Sequence, residues 1–177
     1  MKATAERQAN RQELDRQYLD RQDFDRPTLE RWMAIVLDEL RSGLSEEQSP
    51  FAAGVFSRSG DIVAIAHNTV SATNEVSRHG EVNAINAACK KLSTPDLSEY
   101  VLVSSGEPCP MCAATALLAK MDVIVYGASS ETISDAGYAT LGLSCEHFVN
   151  ISGKTVQLIS GICEPECRQL LLANPAG

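Results

Sequence analysis

Glu107-Pro108-Cys109-Pro110-Met111-Cys112 stands between a short apolar run, Tyr100-Val101-Leu102-Val103, and an apolar segment that begins near Pro110 and continues through Leu117 and Leu118 to about Lys120. The run reads as a buried strand, and Pro110 suits the first turn of a helix, where its missing N–H costs nothing. The hexapeptide is therefore the junction of a strand and a helix, with Cys109 just before the helix and Cys112 in its first turn. Helix starts carry about half a positive charge and unpaired N–H groups, a field that favours thiolates.

Arg78-His79-Gly80-Glu81 repeats that arrangement upstream. A polar Ser/Thr/Asn-rich loop, 68–78, delivers the chain to His79, after which Val82, Ile85, Ala88, Cys89 and Leu92 mark a helix. One imidazole and two thiols make three ligands for Zn²⁺, and a catalytic zinc site keeps its fourth position for water. Two parallel strands delivering two helix starts side by side would bring these residues into one tetrahedral site, at strand ends where open α/β sheets bind ligands. Two plainer readings stand beside this one. A closed structural site would need Cys163 and Cys167 as further ligands, although their Glu-Pro-Glu spacing on a terminal helix suits that less well. Glu81 could simply complement the helix dipole, but its place two residues from a ligand suits a proton carrier.

The remaining elements surround that pair. Pro27 fits a helix start with Asp25 as cap, and Leu29, Trp32, Met33, Val36, Leu37 and Leu40 continue the helix to about Ser42-Gly43. Phe51–Arg58 and Ile62–His67, joined by Ser59-Gly60-Asp61, predict an antiparallel hairpin. Val123–Tyr126 is a fourth strand stopped by Gly127, and 128–153 carries only a turn of helix near 131–136. Thr155–Ile159 closes as a strand and Cys163–Leu172 as a helix. The order predicts one α/β domain over 27–177, with helices covering both faces of a central sheet. Residues 1–26 repeat Asp-Arg-Gln and form a charged arm, either a solvated helix or frayed tail, or a helix that packs on a partner subunit.

Residues 1–31 hold seven basic and seven acidic side chains, so the whole net charge of −8 belongs to the rest of the chain. Such a domain repels phosphate backbones, which disfavours nucleic-acid substrates and suits a small neutral or cationic molecule. No apolar run is long enough to span a membrane and no secretory signal is visible, so a cytoplasmic location is expected. The six cysteines are then ligands or buried thiols rather than a disulfide framework.

His-x-Glu followed by Pro-Cys-x-x-Cys is the motif pair of the zinc-dependent nucleobase deaminases. The chain resembles the cytidine-deaminase-like superfamily over roughly 28–160, and within it the guanine deaminase branch. Pro50-Phe51-Ala52-Ala53 resembles that branch's Pro-Phe-Gly-Ala, and His67-Asn68-Thr69-Val70 its Asn-containing turn. His79-Gly80-Glu81-Val82-Asn83-Ala84-Ile85 resembles His-Ala-Glu-Val-x-Ala-Ile, and Asp135-Ala136-Gly137-Tyr138 the segment after the fourth strand. The resemblance implies a three-layer α/β/α fold with a mixed sheet of about five strands, and a homodimer with one Zn²⁺ per subunit. It implies hydrolytic removal of an exocyclic amino group from a small heterocycle, guanine or a related purine foremost. His79, Cys109 and Cys112 would hold the metal and Glu81 would carry protons. Asn68 and the Gly80 N–H would bind the ring, and Phe51 would wall the pocket. Asn68 could equally stabilise its own turn and Phe51 could belong to the core.

Three departures leave the ring open: Gly80 stands for alanine, Ala139 and Thr140 stand where the branch has acids, and the C-terminal aromatic is missing. The loss of a methyl group at Gly80 is expected to loosen the helix start. Pyrimidine or pterin bases, the tRNA adenosine of related enzymes, and a non-catalytic zinc-binding role are the alternatives.

Overall fold

The computed structural model describes residues 24–176, so the charged arm lies outside the described residues apart from its last three positions. Helix α1, Arg26–Ser45, starts as its sequence predicts: the Asp25 carboxylate accepts the Thr28 N–H at 2.9 Å, and Pro27 occupies the first turn. Its buried face is the three-and-four series from Leu29 to Leu40. Gly43 is buried within the helix rather than ending it.

The hairpin follows as β1, Ala52–Ser57, and β2, Ile62–His67, paired antiparallel. A one-turn helix α2, Val70–Thr73, interrupts the loop before α3, Gly80–Leu92. The succession then runs β3, Tyr100–Gly106; α4, Pro110–Leu118; β4, Val123–Ala128; α5, Ser130–Asp135; α6, Cys145–Ser152; β5, Gln157–Ile159; and α7, Glu164–Ala173. The sheet order is β2-β1-β3-β4-β5, antiparallel on the hairpin side and parallel from β3 to β5. This is the expected mixed five-stranded sheet.

Alternation along the strands divides the core into two layers. Val101, Val103, Val123 and Val125 face α1 and α7, while Leu102, Ile124 and Tyr126 face α3 and the residues around α4. Fully buried Phe56, Leu102 and Ile124 each contribute about 1.5–3 kcal/mol of burial free energy. Near the site, α6 covers α4 through Ala113, Cys145 and Val149.

Three expectations change. Strand β3 continues through Ser104–Gly106, beyond the run Tyr100–Val103 read above as the strand, because Gly106 pairs with Ala128 of β4. Strand β4 passes through Gly127, since that glycine admits α7 rather than ending the strand: a Cβ there would lie 2.3 Å from the Cys167 sulfur. Helix α6 went unforeseen in a polar stretch. All six cysteines are free thiols, and no described helix is long and apolar enough to cross a membrane.

Candidate active site

Both ligand groups sit at helix caps. His79 is the N-cap of α3 and Cys109 the N-cap of α4, each with extended backbone (φ −66°) and neither spending its side chain on a capping bond. Their side chains are free to turn toward each other while backbone conformation starts the helix. Glu81 and Cys112 lie in the first turns. Strands β2 and β3 run in the same direction, as expected, but β1 lies between them. The start of α3 is brought in by direct packing on β1 instead. A Cβ on Gly80 would lie 2.9 Å from Ala52 Cα and 3.2 Å from Ala53 N. The missing methyl group therefore does not loosen this helix start; it lets α3 press against the strand backbone.

His79 Nδ1 lies 3.5 Å from Cys112 Sγ and 3.8 Å from Cys109 Sγ, and the two sulfurs are 3.5 Å apart. Zinc bonds of about 2.3 Å to sulfur and 2.0–2.1 Å to nitrogen, at tetrahedral angles, require about 3.8 Å between sulfurs and about 3.5–3.6 Å between sulfur and nitrogen. The triad fits Zn²⁺ within a few tenths of an ångström, and among the described residues no other such cluster occurs. Cys163 and Cys167 are not part of it: Cys167 lies on the buried face of α7, its thiol pushed up to about 12 by burial. The site is the open three-ligand kind.

The three side chains of the triad are electrostatically coupled. The two sulfurs share a hydrogen bond, and this bond, helped by His79, holds the Cys109 thiol down at about 4. The same bond and burial push Cys112 up, and the bond to Cys109 raises His79. Glu81 is 6% exposed, and burial pushes its carboxyl above the usual range. That allows it to hold a proton at a pH where an exposed glutamate is ionised.

A cavity of about 250 Å³ opens beside the triad. His79, Cys109, Glu81, Asn68 and Phe51 line it, while Cys112 is fully buried. Asn68 Oδ1 accepts the Val70 N–H at 3.0 Å, so the turn reading of this residue holds for its oxygen. Its Nδ2 has no protein partner among the described residues. Gly80 is buried at the first position of α3. Phe51 meets Tyr138 edge to face, with centroids 4.9 Å apart, so it belongs both to the core margin and to the pocket wall.

Two residues given no role above also shape the site. Glu107 accepts the Ser130 N–H at 2.7 Å and the Cys145 N–H at 2.8 Å, bracing the first residues of α5 and α6. The only signal for it was its place before Pro108-Cys109. Tyr138, Thr140 and Leu143, between those helices, form the outer wall. The Tyr138 hydroxyl donates to the Asn174 carbonyl at 2.8 Å.

A layered mixed sheet with a His/Cys/Cys triad at two helix starts, and a buried glutamate beside it, defines a zinc-dependent hydrolytic deaminase. The match to the family model for the cytidine and deoxycytidylate deaminase zinc-binding region spans residues 26–128, and the chain belongs to that family. It is 33% identical over 110 residues to a guanine deaminase of Bacillus subtilis, covering 62% of this chain and 68% of that protein. It is 31% identical over 144 residues to a tRNA-specific adenosine deaminase of the same organism, covering 81% and 86%. The solved guanine deaminase from Nitrosomonas europaea superposes with a TM-score of 0.76 at 28% identity, covering 82% of this chain and 83% of that one. The protein is thus an enzyme acting on carbon–nitrogen bonds of cyclic amidines, with zinc as its cofactor.

Proposed function

We propose that this chain hydrolyses the exocyclic amino group of a small uncharged heterocycle, a purine base of the guanine type foremost, releasing ammonia. The observation that carries this reading is the cavity on the triad: at about 250 Å³ it suits a single ring system, and among the described residues no lysine or arginine lines it while Glu81 and Glu107 do. A phosphorylated substrate would find no countercharge there. Similarity to two guanine deaminases supports the choice of ring.

His79, Cys109 and Cys112 would hold Zn²⁺, which supplies the Lewis acidity that brings deprotonation of water near neutral pH. Glu81 accepts one proton of the attacking water and passes it to the ring nitrogen, then takes the remaining hydroxyl proton as the carbonyl forms and delivers it to the leaving amine, so one carboxylate serves as base and then acid. The Asn68 Nδ2 and the Gly80 N–H hold the ring against this group, and Phe51 with Tyr138 keeps water from its far side. The water oxygen ends as the ring carbonyl and the amine leaves as ammonia. We place the enzyme in the cytoplasm as a homodimer, the free cysteines and the family resemblance being the support.

The match to a tRNA-specific deaminase makes an RNA substrate the second reading, but a net charge of −8 opposes the binding of an RNA backbone. Zinc-loaded protein should release ammonia from guanine or a close analogue faster than from guanosine, adenine, cytosine, cytidine, pterin or a tRNA anticodon stem. Turnover of the RNA alone would overturn the small-molecule reading, and no turnover across the panel would overturn the catalytic one.

A further inference from the structure

Asn83 stands one turn beyond His79 on α3, and it does not line the cavity. Its Nδ2 lies 3.0 Å from the His67 carbonyl, 3.0 Å from Thr69 Oγ1 and 3.2 Å from the Arg78 carbonyl. These acceptors belong to the two ends of the loop between β2 and α3, which a Thr69 N–H to Arg78 carbonyl bond of 2.9 Å also joins. Turning the amide over would set its oxygen against two carbonyls, so the donor orientation follows from the partners. Its Oδ1 is then left buried with no partner among the described residues. A buried unpaired acceptor costs stability that an apolar side chain of similar size would not, and such exceptions need a reason.

The reason lies at Asn68. The bonded groups of His67 and Thr69 flank it on both sides, and its own N–H donates to the Phe51 carbonyl at 2.8 Å. Its Oδ1 is committed to Val70, so the direction of Nδ2 depends on the backbone of residues 67–69. We propose that Asn83 is a positioning residue for substrate recognition: its amide fixes both ends of the 68–78 loop and thereby aims Asn68 Nδ2 into the cavity. This rests on the reading of Asn68 as a ring contact given above. Because the Arg78 carbonyl adjoins His79, the same side chain sets the distance between ring contact and metal ligand. Substrate binding is the step it governs, since Glu81 is held by its own helix.

Steady-state kinetics on the best base of the panel, with zinc content measured alongside, tests this. Asn83→Asp keeps the size but replaces donors with a carboxylate facing three acceptors. It should raise KM about tenfold or more while kcat stays within about threefold and zinc remains bound. Asn83→Ala removes the donors without repulsion and should raise KM in the same direction by less; it is the readout if the aspartate variant does not fold. Thr69→Val, which removes one acceptor, should follow with a smaller rise. Combined with Asn68→Ala, either Asn83 change should add no more than about twofold to KM, because both act through one contact. Unchanged KM in the Asn83 variants, a loss confined to kcat or zinc, or multiplicative effects in the double variant overturns the proposal. If Asn68→Ala itself leaves KM unchanged, the ring-contact reading falls and the proposal with it; if Asn68→Ala raises KM and Asn83→Ala does not, only the proposal falls.

Discussion

The floor and the outer wall of the pocket are built in different ways. The floor is made of His79, Glu81, Cys109 and Cys112, all within the first turns of two helices or at their caps, so each side chain is placed by bonds near it in the chain. The wall, 136–144, has no regular structure of its own. It is held by bonds that reach far along the sequence: Glu107 to Ser130 and Cys145, the Tyr138 hydroxyl to Asn174, and the Ala176 N–H to the Ala136 carbonyl. On the proposed reading, the floor determines whether chemistry happens and the wall determines what fits. Damage to the floor should abolish turnover with the fold intact, whereas damage to the wall should act on stability and substrate range together.

The largest effects belong to the floor. Cys112→Ser removes the fully buried member of the proposed ligand set, and bound zinc should fall from one per chain toward none, with activity lost, as metal analysis and ammonia assay would show. Glu81→Gln should lower kcat about 10²–10⁴-fold while zinc stays at the wild-type level. A glutamine variant that turns over normally would remove Glu81 from the mechanism. If zinc were lost as well, floor and ligand set could not be separated in this way.

This contrast also explains what could be read from the chain. His79, Cys109 and Cys112 were legible because a histidine or cysteine before a helix start, and a proline one position on, are local signals. The strands were legible through their apolar runs and the hairpin through its short turn. Helix α6 was not, although Ser144 caps it by accepting the His147 N–H at 3.1 Å, because only Cys145 and Val149 are buried in its eight residues. The role of Glu107 was hidden because both of its partners are more than twenty residues away. The end of β3 was misjudged since Ser104 and Ser105 look like loop, yet both are buried and Ser105 Oγ accepts the Ala52 N–H at 3.1 Å.

Glu107 is the link between the regions, and Glu107→Gln tests it at intermediate size. An amide can accept only one of the two N–H groups that the carboxylate now takes, and its NH₂ opposes the other. Loss of one charge-assisted bond should cost about 1.5–3 kcal/mol in denaturant unfolding, with kcat/KM reduced through a loosened wall. Unchanged stability with full activity would show that α5 and α6 hold the wall without it.

Gly80→Ala probes the join between the floor and the sheet. The added methyl group meets the backbone of Ala52 and Ala53, and overpacking of this kind costs about 1–3 kcal/mol. In the resembling pattern, glycine stands at position 52 and alanine at position 80, the reverse of this chain, so one methyl group is present in either arrangement. Ala52 packs toward α1 on the opposite side of β1. Ala52→Gly should therefore let the strand move back and recover part of the loss, giving a coupling of at least about 0.5 kcal/mol in a double-mutant cycle. Additive losses would mean that the two positions do not share one spacing.

The smallest effect should come from Tyr138→Phe. It deletes the hydroxyl that donates to Asn174 but keeps the ring that meets Phe51. The half-buried position lets water reach the orphaned carbonyl, so the cost should stay near 0.5–1.5 kcal/mol, about that of one neutral hydrogen bond. Turnover should stay within about twofold, because the ring and not the hydroxyl forms the wall beside the cavity. A large rise in KM would instead place the C-terminal segment among the elements that shape the pocket, since the bond to Asn174 is one of the two that tie that segment to the wall, beside the Ala176 N–H to the Ala136 carbonyl. The measurement thus decides whether 174–176 merely rests on the wall or holds it in place.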